Sequence, residues 1–231
     1  SDAFNYSYIQ LDQLHTAYFA KFELRTRFFG RIGMGTHIPY ESALWLAGAN
    51  PEEMMDNKYT RSVGFVPNDW RGISRYETNH FQMGGGLNLR GYSGYFVADE
   101  RDGEIMIGYK GRSGAALNVE LDVDNYIRLQ PRFTRNWLHV DMYAFADAGI
   151  IELSRVNNIN EYYNSTPTEM WSDLRIDAGV GFAFTIKKFG PFDKAEPLTL
   201  RFDMPLFINR PPYANPQYFG WRYVVGVNRA F

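Results

Sequence analysis

The sequence predicts an all-β protein, specifically an antiparallel transmembrane β-barrel, and three observations predict it. Apolar and polar residues alternate over long stretches of the second half of the chain and again near its start. The polar face of almost every alternating segment carries charges. The segments at 138–150 and 174–186 run well beyond the roughly 5–6 residues usual in soluble sheets, and reach the roughly 9–11 that a membrane-spanning strand needs. A soluble β-sandwich also alternates, so strand length and the charge of the second face decide between the two.

Composition is consistent with this. At 231 residues the chain suffices for one domain, read as a single transmembrane barrel domain or a fragment of one over 1–231. It has no cysteine, hence neither a disulfide framework nor a thiolate zinc site. A net charge of -2 speaks against nucleic acid as a partner. No apolar run reaches the roughly 18–20 residues of a transmembrane helix. Mean hydropathy is negative, a test that membrane barrels escape because only alternate residues face lipid. Ser1 is not followed by an apolar signal segment, which reads as a processed chain or a fragment.

Each element follows from its pattern. Residues 4–12 are tyrosine-rich and offer a short, poorly separated strand. From Tyr18, the residues Ala20, Phe22, Leu24 and Phe28 share one face, and Lys21, Glu23, Arg25 and Arg27 the other. Residues 28–31 (FFGR) predict a tight turn, after which Ile32, Met34 and Ile38 continue on a second strand against Gly33, Gly35 and His37. Residues 40–112 lack a sustained period and read as a long extracellular loop, a length that points to function. Then Leu117, Val119 and Leu121 alternate with Asn118, Glu120 and Asp122, and after a polar break at 128–136 Val140, Met142, Ala144, Ala146 and Ala148 alternate with Asp141, Tyr143, Phe145 and Asp147. Residues 152–171 read as a polar loop. The next strands set Ile176, Ala178, Val180 and Phe182 against Arg175, Asp177 and Gly179, and Leu200, Phe202 and Met204 against Arg201 and Asp203. The final strand carries Trp221, Tyr223, Val225, Val227 and Phe231 on one face, with Arg229 its one misfit. Seven strands are clear, and residues 4–12 supply a possible eighth.

Residues 81–92, FQMGGGLNLRGY, lie inside the long loop. Three glycines, Gly84, Gly85 and Gly86, precede a single arginine, Arg90, set among Leu89, Gly91 and Tyr92. A phosphate cradle would need a strand before it and a helix after it, which the pattern lacks. An arginine on such a loop calls for acidic partners. The polar strand faces supply Glu120 and Asp147, so the loop is expected to fold into a lumen and be pinned there. If the last strand runs inward, alternation puts the long loops outside and the short turns on the periplasmic side, the asymmetry of outer-membrane barrels.

Taken together, the order of motifs resembles the C-terminal half of the BamA/TamA superfamily, the outer-membrane assembly and two-partner-secretion barrels that carry POTRA domains. GGGLNLRGY resembles the family's glycine-rich loop, ALNVELDV the strand after it, AFADAGII the next, and FGP with LTLRFDMPL the GP-turn and penultimate strand. The terminal strand, with Trp221, Tyr223, Val225, Val227 and Phe231, is similar to the family's C-terminal assembly signal. The likeness spans about residues 17–231. It implies a bacterial outer-membrane barrel of about 16 strands, of which this chain supplies seven or eight. It also implies insertion or translocation of polypeptides with no enzymatic step and no cofactor or metal. The implied partners are the lipid bilayer, polypeptide substrates, and further barrel strands or periplasmic POTRA domains.

Two further readings belong to other classes. The barrel could serve as a membrane anchor for a separate enzyme or surface domain. It could itself be an enzyme, for which His139 and Asp141, on one face, are the simplest pair. The sequence contains neither GxSxG nor HExxH, and a hydrogen bond in the lumen accounts for the pair with less invention.

Overall fold

The computed structural model describes residues 5–56, 81–93, 98–123, 132–156, 165–187, 197–211 and 216–231. Two long strands open the chain, β1 (Asn5–Phe19) and β2 (Phe22–His37), paired antiparallel around a turn at Ala20 and Lys21. Ala20 takes the left-handed conformation, φ 54°. The expected turn at 28–31 is therefore not there. Phe28, Phe29, Gly30 and Arg31 lie in mid-strand, and the alternation simply continues through Gly30.

Residues 40–112 are not a structureless loop, because every described stretch of them is built into something. A short 3-10 turn leads to β3 (Leu44–Trp45), and the one-turn helix α1 (Pro51–Asp56) follows. Asn50 and Glu53 cap that helix reciprocally, each side chain accepting from the other's backbone N–H at 2.9 and 2.7 Å. Next come β4 (Phe81–Met83), a 3-10 turn at Arg90–Tyr92, and the hairpin β5 (Ala98–Arg101) with β6 (Glu104–Ile107). The hairpin turns on Asp102 and Gly103, both at positive φ, as an Asp-Gly turn requires. The strand β7 (Lys110–Gly111) pairs with β3.

The main sheet resumes with β8 (Gly114–Asp122), β9 (Leu138–Val156), β10 (Ser165–Trp171), β11 (Arg175–Ile186), β12 (Leu198–Ile208) and β13 (Val224–Val227). The expected polar loop at 152–171 is in part strand. The strand β9 continues through residues 152–156, where β10 and β6 pair with it; the alternation breaks at Ile150 and Ile151, and residues 151–154 are all buried, polar and apolar alike. The last strand is shorter than expected, four residues rather than the span 221–231.

Among the described residues eleven strands form one sheet, ordered β1-β2-β8-β9-β11-β12-β13-β4, with β6 and β10 paired to β9 and β5 paired to β6. All its pairings are antiparallel except β13 with β4. The protein is thus all-β, and the sheet curls into a half-barrel. Its faces are inverted relative to a soluble sheet. Phe28, Ile32, Met34, Leu117, Phe184 and Leu200 stand exposed on the convex side. Arg27, Arg31, Asn118, Glu120, Asp147, Asp177, Arg201 and Asp203 are buried on the concave side, under the loop. The outer edge of β1 pairs with no strand among the described residues.

Candidate functional site

The site is the seat of the 82–92 loop on the concave face. Six neighbouring strands touch this segment: β2, β8, β9, β11, β12 and β13. At about 4.8 Å per strand a flat sheet would spread these contacts over about 24 Å, so the curl of the sheet is what brings them onto one short loop.

Arg90 is fully buried at the centre. Its Nε and Nη2 donate to the two carboxylate oxygens of Asp147 at 2.8 and 2.9 Å, and Nη1 donates to Glu120 at 2.6 Å. Its backbone N–H also donates to Asp147, at 3.3 Å. The guanidinium lies over the Phe145 ring, 3.8 Å from the centroid. Sequence parity had put Glu120 and Asp147 on the polar faces, and the structure brings both to Arg90. Burial disfavours the charge on Arg90, but Asp147 and Glu120 more than offset this and raise its pKa well above the ordinary arginine value.

The rest of the motif explains how the arginine gets there. Leu87 and Leu89 are wholly buried and belong to the same apolar cluster as Phe29, Leu44, Leu46 and Tyr92. Their N–H groups donate to Trp45 and Leu46 carbonyls at 3.0 Å each, which gives the loop backbone partners within the fold. Gly86, at φ 51°, passes so close to the Trp45 carbonyl that a Cβ would stand 2.6 Å from it. At Gly91 a Cβ would meet Asp177 at 2.5 Å and Ile208 at 2.7 Å. Tyr92 donates its hydroxyl to Asn209 at 2.7 Å. Burial, opposed by the nearby Arg175 cation, moves the Tyr92 hydroxyl up to about 12, so it remains a donor.

Several residues of the seat were not singled out by the sequence. Asn118 is wholly buried and its amide reaches the Leu87 and Asn88 carbonyls and Asp147 at 3.2, 3.3 and 3.1 Å. Arg27 donates to the Gly86 carbonyl at 3.0 Å while paired with Asp12. Asp177 opposes Asp147 in register, and Asp203 accepts from Tyr143 and Arg201. Their signal was parity alone, which places a residue on a face but does not name its partner.

The terminal segment divides. Trp221 and Tyr223 are exposed, and Val225 and Val227 pair across from Phe202 and Leu200. Asn228 then adopts φ 66°, and this reverses the alternation. Arg229, the misfit, thereby turns inward to Asp122 at 3.0 Å and Asp141 at 3.5 Å. Phe231 follows it, its ring 6.0 Å from the Arg90 guanidinium rather than beside Trp221. His139 lies 2.7 Å from Asp141, within the same polar face.

Comparison with protein-family models, curated proteins and solved structures gave no match, so the geometry alone carries the functional reading.

Proposed function

We propose that this chain forms the C-terminal part of a bacterial outer-membrane β-barrel of the BamA/TamA type, which inserts or translocates other polypeptides. The observation that carries the reading is the wholly buried Arg90, forked onto Asp147 and Glu120. A loop from outside the sheet is held by charge on the concave face, and the convex face is apolar and exposed. That combination suits a lumen whose plug is fixed by reversible polar contacts, since a purely apolar plug would resist movement through water. In such a barrel the loop gates the lumen, and the work is conformational rather than bond-making.

The test is insertion of an unfolded barrel client into vesicles by the intact gene product. Vesicles carrying the wild-type protein should accelerate insertion. Those carrying Arg90→Ala should hold the barrel normally, expose the 81–93 segment to protease and lose the acceleration. No acceleration by the wild-type protein would discard this reading in favour of a membrane anchor. Unchanged loop protection and activity in Arg90→Ala would remove the arginine from it.

A further inference from the structure

Asp177 on β11 and Asp147 on β9 lie opposite each other in register, and both are wholly buried under the loop. Their surroundings are unequal. Asp147 accepts from the Arg90 backbone N–H, from Arg90 Nε and Nη2, and from the Asn118 amide. Neither carboxyl oxygen of Asp177 has a hydrogen-bond partner among the described residues. The groups around it are committed elsewhere. From the loop, Arg90 is forked between Asp147 and Glu120, and Tyr92 gives its hydroxyl to Asn209. The Gly91 N–H lies near Asp177 without closing a hydrogen bond. On β11 itself, Arg175 donates Nη2 to Asp99 at 2.6 Å, and its Nε, also unpartnered, does not close onto Asp177. On β12 the residue opposite is the apolar Ile208, and Asp203 is held by Tyr143 and Arg201.

An ionised Asp177 would be a buried anion that faces a second anion and has no donor, among the costliest arrangements a fold can hold. We propose that Asp177 is a proton-binding site: in the docked protein it is a neutral carboxylic acid that donates to Asp147. The distribution of donors says which of the two acids holds the proton, since Asp147 is served as an anion and Asp177 is not. The loop makes the site. With the loop away, both aspartates line the open concave face, reach water and ionise. When Gly91 closes over Asp177 and Arg90 takes Asp147, one carboxylate oxygen of Asp177 gains a proton from water, and nothing else is transferred. Docking thus consumes one proton. Solvated aspartates titrate near about 4. Above that pH, docking should weaken about tenfold per pH unit until the docked acid itself ionises. The inference needs only the seat of the loop, and stands whether or not the chain inserts polypeptides.

Infrared spectra of the whole protein, in a detergent without ester groups, give the first test. At neutral pH they should show the C=O stretch of a neutral carboxyl, shifted in heavy water and absent from Asp177→Asn. Proteolysis of the 81–93 segment over a series of pH values gives the second, since cleavage follows the population of the open loop. The ratio of wild-type to Asp177→Asn cleavage cancels the protease's own response to pH. That ratio should climb about tenfold per unit, because the carboxamide stands in for the neutral acid and keeps its loop docked at every pH. No neutral-carboxyl band in the wild-type protein overturns the site, and that measurement needs no variant. A band that survives Asp177→Asn also overturns it, and places the proton on another acid such as Glu120, whose Oε2 is unpartnered as well. A ratio that stays flat overturns the coupling to docking. An Asp177→Asn loop cut freely at every pH would show that an anion is needed at this position, and the proposal falls.

Discussion

Arg90 keeps its charge in a place where burial works against it, because two carboxylates and an aromatic face replace the water it has lost. Removing it leaves Glu120 and Asp147 facing each other without a cation. Arg90→Ala should accordingly cost about 3–5 kcal/mol of loop docking. Arg90→Lys keeps the charge but not the fork, and can satisfy one acid at a time. Its protease sensitivity should fall between wild type and alanine, and a lysine variant as protected as wild type would show that charge alone suffices. This centre was legible in the sequence because one arginine sits on a glycine-rich loop and parity placed acids inward, Glu120 and Asp147 among them; that these two are its partners is also what the family resemblance implies. The contacts of Asn118, Asp177 and Gln82 were not, because they depend on which residues lie opposite one another, and register is a property of the folded sheet.

At the scale of elements, pattern found the long strands and mistook where two of them bend. The turn at Ala20 was invisible because alanine carries no turn signature, whereas Gly30 carried one and lies inside a strand. The reversal at Asn228 was similarly masked: asparagine tolerates positive φ, but nothing marks one position as using it. Asn228→Val should cost about 1–2 kcal/mol through that backbone strain, and it should also release Arg229 from Asp122. Asn228→Gly should be nearly neutral. Thermal unfolding of the pair measures this, and equal midpoints would mean that the turn relaxes. Lys110, in the β7 strand outside the main ladder, is held down to about 8 by burial, against an ordinary 10.5. Between those values the unfolded chain binds the extra proton, so stability should rise as pH increases through that window and be lost as pH falls to about 8. Lys110→Met should flatten the rise, as read from unfolding midpoints at a series of pH values.

For the whole molecule the deciding property is the inversion of its faces. Alternation and strand length made the all-β class readable in advance. The size of the sheet was less so, because the segments 44–56 and 81–111 contribute short strands whose partners are distant in sequence. In the proposed barrel the exposed Trp137, Trp171 and Trp221 lie at the bilayer interface. Lipids brominated near the headgroup should quench tryptophan emission more than lipids brominated at the chain ends. Equal quenching at both depths, or none, would place these rings elsewhere.

The seat of the loop also has a history. Arg90 waits for Asp147, 57 residues on, and Asn88 for the Ala230 carbonyl, 142 residues on. No part of the sheet made early can hold the loop alone, since its partners are drawn from six strands on both sides of it in sequence. Closing such distances is slow relative to pairing neighbouring strands, so the loop docks after the sheet has curled. Its burial then serves as a clock mark: a protected Arg90 segment dates a molecule in which β8 to β13 are already in register.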